Sequence, residues 1–171
     1  MRFISHVGIG VREMESSLRF YRDALGLAVI RDETHSPPAL PGVWSSNERR
    51  RRREVFLRWN GDAEMGNAFL SLNQQDRPAD NPPLTLDQLG IHHFSFRVDD
   101  VDAIAARLRG HGRDDFSVVE ATGDKFGYPP QQKFRTLLVK DPDGNLVQFE
   151  GLLDDTASNA ESTAGNGAEA R

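Results

Sequence analysis

Two stretches of the chain alternate apolar and polar positions with the period of two that is typical of a β-strand. In residues 3–11, one face carries Phe3, Val7, Ile9 and Val11, and the other carries His6, Gly8 and Gly10. In residues 93–99, one face carries Phe94, Phe96 and Val98, and the other carries His93, Ser95 and Arg97. Each predicted strand therefore has an apolar face and a polar face that bears one histidine.

A helical pattern follows each of these strands. Residues 12–26 and 99–112 begin with acidic side chains, repeat apolar positions at helical spacing and end near a glycine. The first strand and helix recur in the second half at one separation, since 93 − 6 = 87 for His6 and His93 and 101 − 14 = 87 for Met14 and Val101. We interpret this constant separation as an internal repeat.

Three strand-like runs follow each helix, and the Asp-Pro-Asp-Gly sequence at 141–144 predicts a sharp turn before the last of them. Each half thus reads strand, helix and three strands. We predict an α+β fold of two βαβββ modules, about residues 1–75 and 88–153, which form a curved mixed β-sheet cleft with the helices outside. His6 and His93 are expected to point into this cleft. Residues 154–171 lack large apolar side chains and are expected to form a disordered tail.

The composition excludes several function classes. The net charge of −5 over 171 residues disfavours a nucleic-acid partner. The sequence also lacks a run of 18 apolar residues, which a membrane-spanning helix would need. The chain has no cysteine, so a metal site must use histidine, carboxylate or amide ligands. We expect a cytoplasmic protein with a small-molecule substrate.

The repeat resembles the vicinal oxygen chelate superfamily, which includes glyoxalase I, bleomycin- and fosfomycin-resistance proteins, extradiol dioxygenases and methylmalonyl-CoA epimerase. The resemblance covers residues 4–153. The residues that carry it are His6-Val7-Gly8-Ile9, Phe20-Tyr21, Leu25-Gly26, His93-Phe94-Ser95-Phe96-Arg97-Val98-Asp99-Asp100 and Asp141-Pro142-Asp143-Gly144-Asn145.

The resemblance implies a divalent metal ion (Fe, Mn, Zn, Ni or Co) with His6, His93 and Gln148 as ligands. The superfamily usually has a glutamate where this chain has Gln148, and many members have Glu or Gln where it has Ser71. An amide oxygen carries no net charge, so we expect Gln148 to hold a cation less tightly than a carboxylate. Glu150 lies on the same strand face as Gln148 and is the candidate catalytic base.

Further residues are candidates for binding the substrate. Ser71 and Arg97 are expected to line the cleft, and Trp44 and Tyr128 are expected to border it from loops, with His35 beside Trp44 in a Pro-rich loop. Phe126 and Phe134 are candidates for an aromatic wall, although core packing explains them equally well. His92 is assigned to packing on the opposite strand face, and the arginine run 49–53 to a solvated loop that enters a strand.

Two functions from different classes remain open. The first is a metal-dependent enzyme, an isomerase, lyase or dioxygenase, that acts on a small oxygenated molecule chelated by the cation. The second is a metal-free protein that sequesters a small molecule or antibiotic, as bleomycin-resistance proteins do, and the absent carboxylates at Ser71 and Gln148 favour it. Pairing of two chains into a homodimer is compatible with both.

Overall fold

The computed structural model describes residues 4–36, 51–59, 68–76 and 81–153 of the chain. The first module consists of β1 (His6–Gly10), α1 (Met14–Leu18), a π-helical segment (Arg19–Ala24), β2 (Ala28–His35), β3 (Arg52–Arg58) and β4 (Phe69–Gln75). The second consists of β5 (His93–Arg97), α2 (Val101–Gly110), β6 (Phe116–Thr122), a 3₁₀ turn (Gly123–Phe126), β7 (Lys133–Lys140) and β8 (Leu146–Leu153). The predicted α+β fold of two βαβββ modules is confirmed.

The strands form two four-stranded sheets of the same topology, ordered β1-β4-β3-β2 and β5-β8-β7-β6. In each sheet the first strand runs parallel to the last, with His6 opposite Phe69 in one and His93 opposite Leu146 in the other. The remaining neighbours are antiparallel. A parallel pair needs a long connection, and in each module the chain between these two strands runs through the helix and the two intervening strands.

One face of each sheet packs into a core that both modules share. The sheet residues of this core include Ile9, Val55, Leu57, Leu70 and Leu72 in the first module and Leu137, Val139, Val147 and Phe149 in the second, and the helical residues include Met14, Leu18, Tyr21, Val101, Ala105 and Leu108. The rings of Trp59 and Phe96 meet across the modules, with their centroids 5.3 Å apart. The opposite face of each sheet therefore points away from the shared core, and we call it the open face of its module.

The helices begin in the same way in both modules. Glu13 and Asp100 adopt extended backbone conformations, and the carboxylate of each accepts hydrogen bonds from the backbone N–H groups two and three residues later. These contacts satisfy donors that have no partner within the helix. The two caps are 87 residues apart, since 100 − 13 = 87, and this separation matches that of the histidines.

The turn that precedes β8 ties the two modules together. Gly144 adopts φ +92°, which glycine accepts without strain. The buried carboxylate of Asp141 accepts hydrogen bonds from the backbone N–H groups of Asp143 and Asn145, and from the Tyr21 hydroxyl of the first module at 2.8 Å. Arg12 of the first module pairs with Asp143 at 3.3 Å. Within the described ranges, no helix has the length and apolar character that a membrane span requires.

Candidate functional site

Four predicted site residues lie on the open face of the second module: His93, Arg97, Gln148 and Glu150. Gln148 is in register with Ser95, and Glu150 is in register with Arg97 on the neighbouring parallel strand. The Ser95 hydroxyl donates a hydrogen bond of 2.7 Å to Oε1 of Glu150, which holds this carboxylate against β5. The alternation of β8 thus places Gln148 and Glu150 side by side on one face.

Both strand histidines are engaged through the same ring nitrogen. Nδ1 of His6 lies 3.1 Å from the Ser5 hydroxyl, and Nδ1 of His93 lies 2.7 Å from Nδ1 of His92. Among the described residues, neither strand histidine has a hydrogen bond at Nε2. A hydrogen bond at Nδ1 orients the ring and leaves Nε2 available as a ligand, as in many metal-binding histidines.

The assignment of His92 to packing on the opposite strand face is wrong. Its ring stacks on that of His93, with the centroids 4.7 Å apart. Strand β5 begins at His93, so the alternation of side chains does not extend back to His92.

The two strand histidines lie on different sheets, and the described contacts do not join them. The His6 ring stacks on Phe69 with a centroid distance of 5.1 Å, within its own module. In the described part of the chain, no three His, Asp or Glu side chains gather as a metal-binding group. Each histidine belongs to the open face of its own module, His6 on β1 and His93 on β5.

The open face of the first module carries a buried carboxylate that the sequence analysis did not assign to the site. Glu54 on β3 is only 7% exposed, and Ser71 on β4 is only 4% exposed. The Ser71 hydroxyl lies 3.5 Å from Oε1 of Glu54 and accepts a hydrogen bond of 3.0 Å from the Asn73 amide. The first module thus has a carboxylate beside Ser71, supplied by the adjacent strand. The sequence signal was the alternation of β3, in which Glu54 and Phe56 share one strand face and the apolar Val55 and Leu57 share the other.

Three cationic or potentially cationic side chains surround Glu54. The guanidinium of Arg52 lies 3.0 Å from its carboxylate, that of Arg31 lies 4.0 Å away, and Nε2 of His35 lies 3.7 Å away. The expectation that His35 lies in a loop is wrong, because β2 extends to this residue and pairs it with Arg52. The pairing of β2 with β3 therefore brings His35 onto the open face.

The arginine run continues into β3, where Arg52 and Arg53 are ion-paired within the chain. Arg53 contacts Asp32 at 2.7 Å and Glu15 at 2.6 Å. Its hydrogen bond lowers the pKa of the Asp32 carboxyl. The charge of Arg53 is thus balanced by two acids of the same chain.

Arg97 and Tyr128, both predicted to bind substrate, come together beside Phe134. The Arg97 guanidinium lies 4.9 Å from the centroid of the Phe134 ring and 5.6 Å from that of Tyr128. Its Nη2 lies 3.4 Å from the Tyr128 hydroxyl. Trp44 and the side chain of Phe126 lie outside the described residues.

A cavity of about 310 Å³ lies where β1 ends and the turn before β8 begins. Its walls include Gly10, Arg12, Asn73, Asp143 and Asn145. Oδ1 of Asn73 is buried and has no hydrogen-bond partner among the described residues. The cavity adjoins the open face of the first module through Asn73.

The family model described as the Glyoxalase/Bleomycin resistance protein/Dioxygenase superfamily matches residues 3–149. The chain belongs to this superfamily. The superfamily, whose name covers glyoxalases, bleomycin-resistance proteins and dioxygenases, contains both enzymes and binding proteins. Membership is therefore consistent with both functions left open above.

Solved structures of superfamily members share the fold. A glyoxalase family protein from Bacillus cereus is 18% identical with a TM-score of 0.66, and the match covers 90% of this chain and 96% of that one. One from Enterococcus faecalis is 20% identical with a TM-score of 0.57, covering 88% and 98%. The trypanothione-dependent glyoxalase I of Leishmania major is 23% identical with a TM-score of 0.50, covering 88% and 87%. No curated protein sequence is significantly similar to the chain.

Proposed function

We propose that this protein is a divalent-metal-dependent enzyme that acts on a small oxygenated organic molecule, whose two neighbouring oxygens bind the cation. The observation that carries the proposal is the shared state of His6 and His93. Both occupy equivalent strand positions on open faces, and both use Nδ1 in a local contact while Nε2 makes no hydrogen bond among the described residues. In both cases the partner of Nδ1 is the preceding residue, Ser5 or His92.

The donor set fits a divalent cation of the first transition row. His93 and Gln148 come from the second module, His6 comes from the first, and imidazole nitrogen suits Fe, Mn, Zn, Ni and Co. Gln148 contributes a neutral oxygen, so the site leaves more positive charge on the cation than a site with a glutamate would. A cation held there supplies Lewis-acid polarisation of the substrate oxygens.

Glu150 is placed to move a proton at the substrate. It is two residues beyond Gln148 on the same strand face, and the Ser95 hydroxyl occupies only one of its two carboxylate oxygens. The other oxygen, Oε2, accepts no hydrogen bond from a described residue. Glu150 is therefore the proposed general base, with Ser95 as the residue that orients it.

We further propose that the complete site forms between two copies of the chain. Within one chain the two open faces point away from a shared core, and no described contact joins the two strand histidines. A second copy that lays its second module over the first module of its partner would bring one His6 and one His93 together. Such an arrangement has twofold symmetry and creates two equivalent sites.

A metal-free binding protein remains the second candidate. The observation that favours it is the state of Glu54, the carboxylate beside Ser71, which is already paired with Arg52 and surrounded by Arg31 and His35. A carboxylate so engaged is a poor substitute ligand for a metal. In this alternative the open faces hold a small molecule by shape and hydrogen bonds alone.

Metal analysis of the untagged protein separates the two candidates. Wild type supplied with Fe, Mn, Zn, Ni or Co is expected to retain the cation after dialysis, while His6→Ala and His93→Ala lose it and the control His111→Ala keeps it. His111 is exposed at the end of α2, away from both open faces. Retention well below one ion per chain in wild type for all five metals would contradict the enzyme proposal. Loss of metal in both variants would contradict the metal-free alternative.

Mixing the two variants tests the placement of the site between chains. Unfolding and refolding His6→Ala together with His93→Ala gives mixed dimers in which one of the two sites regains both histidines. Random pairing should therefore restore about a quarter of the wild-type metal content. Restoration of none would place both histidines of each site in one chain.

A further inference from the structure

We infer that the substrate of this site carries an anionic group, a carboxylate or a phosphate, and that Arg97 and Tyr128 bind it. The inference rests on the proposed function in one respect: the end of the substrate that does not carry the anionic group is taken to bind at Gln148 and His93. The anion-binding pair itself depends on contacts of the second module alone.

Arg97 makes no ion pair with any described residue, although a carboxylate is its neighbour in the sheet. Glu150 is in register with Arg97 on the adjacent strand, yet its carboxylate is hydrogen-bonded to Ser95. Arg113 and Arg135 of the same module contact acidic side chains at 2.6 Å and 2.7 Å. Among the described residues, the positive charge of Arg97 therefore has no counterion on the open face.

Aromatic rings hold the guanidinium in place. Phe134 is fully buried and lies under Arg97 at 4.9 Å, while the Tyr128 ring lies 5.6 Å away. Stacking on a ring favours arginine over lysine and restricts the side chain before a ligand arrives. Because less conformational entropy is then lost on binding, a guanidinium held in this way binds a carboxylate or phosphate better than a mobile one.

The Tyr128 hydroxyl provides a second donor to the same ligand. It accepts from Nη2 of Arg97 at 3.4 Å, which leaves its own O–H available. Tyr128 is 45% exposed, so its side chain reaches solvent. A guanidinium and a phenol that converge in this way match an anionic oxygen better than any neutral group.

The strand geometry sets the separation between the two ends of the substrate. Gln148 lies in the row of Ser95, and Arg97 lies two residues further along β5 on the same face. Two residues of a strand span about 7 Å. The substrate class is therefore a short organic anion in which the charged group stands several bonds away from the pair of oxygens that faces Gln148.

Titration of the metal-free protein with glutarate, its neutral diamide glutaramide and inorganic phosphate tests the inference, with binding followed by NMR. Wild type is expected to bind glutarate or phosphate with at least tenfold higher affinity than glutaramide, which is the contribution of a charge-assisted contact. Arg97→Gln should abolish this preference. Tighter binding of phosphate than glutarate would identify the anion as a phosphate, and the reverse order would identify it as a carboxylate.

Matched variants complete the experiment. Arg109→Gln is the control, because Arg109 also lies over a phenylalanine, Phe116 at 5.0 Å, but on α2 outside the open face. It should keep the full preference, whereas Arg97→Lys and Tyr128→Phe should each retain part of it. Equal affinity of wild type for glutarate and glutaramide with no saturable phosphate binding would overturn the inference. So would an Arg97→Gln variant that binds anions as wild type does.

The metal content of the same preparations separates this inference from the proposed function. Arg97→Gln is expected to retain the cation, because Arg97 is not among the proposed ligands. Anion selectivity in a protein that binds no metal would support the Arg97 site and contradict the metal-dependent enzyme. Metal binding without anion selectivity would support the metal-dependent enzyme and contradict the Arg97 site.

Discussion

The hydrogen bond between Tyr21 and Asp141 connects the helical segment of the first module to the turn of the second, and its removal tests how the modules are joined. Tyr21 is 0% exposed and Asp141 is 3% exposed, so water does not replace the bond in the folded protein. Tyr21→Phe keeps the ring and its packing and removes the hydroxyl alone. We expect the change to destabilise the protein without leaving a cavity.

The structure sets the size of this effect. The Tyr21 hydroxyl gives one of four hydrogen bonds to the Asp141 carboxylate, and the other three come from backbone and side-chain N–H groups of Asp143 and Asn145. A hydrogen bond to a charged group contributes about 1.5–3 kcal/mol, and the remaining donors prevent a larger loss. We therefore expect the free energy of unfolding to fall by about 2 kcal/mol, and Tm by about 4–8 °C.

Urea unfolding followed by circular dichroism measures the change, with the slope m expected to stay constant. Tyr128→Phe is the matched control, because its hydroxyl makes a long contact of 3.4 Å on an exposed side chain and should cost less than about 0.5 kcal/mol. In an Asp141→Asn background, Tyr21→Phe should cost less than in wild type, since the charge is already gone. A loss below about 0.5 kcal/mol for Tyr21→Phe alone would refute the reasoning.

Three further predictions concern pH, a helix cap and the metal. Burial, and secondly the charge of the nearby Asp141, raises the pKa of Tyr21 above its ordinary value of 10.0. The contribution of Tyr21 to the free energy of unfolding is therefore complete below pH 10.0 and is lost as the pH rises above that value. The urea midpoint of Tyr21→Phe should consequently fall less steeply with alkaline pH than that of wild type. Asp100→Ala removes the cap of α2 and should cost about 1 kcal/mol in urea unfolding, whereas the neighbouring Asp99→Ala should be nearly neutral. Gln148→Glu should lower the Kd for the cation at least about tenfold in a competition with a chelating dye, and an unchanged Kd would remove Gln148 from the ligand set.

Local patterns were sufficient to predict the modules. The alternation around His6 and His93 identified the polar face of each first strand, and the repeat of 87 residues identified the second copy of the unit. The same alternation placed Gln148 and Glu150 together, and the register of β8 with β5 bears this out. Side-chain direction along a strand depends on the backbone of that strand alone, which explains why these expectations hold.

The expectations that failed concern the ends of strands and neighbours across strands. His35 was assigned to a loop because proline follows it closely, but pairing with Arg52 extends β2 to this residue. His92 was assigned to packing from an alternation that begins one residue later. Glu54 escaped notice because a glutamate in a strand gives no sign of burial until its cross-strand neighbours are known.

The sequence by itself determined the two βαβββ units, the faces of their strands and the residues that start their helices, because each of these follows from periodicity over a few neighbouring positions. Only the tertiary structure decided that both modules share one core, that Glu54 lies among cations, and that Arg97 rests on Phe134 and Tyr128. These arrangements join residues that are distant along the chain. They depend on how apolar surfaces of whole elements pack together, which no local pattern specifies.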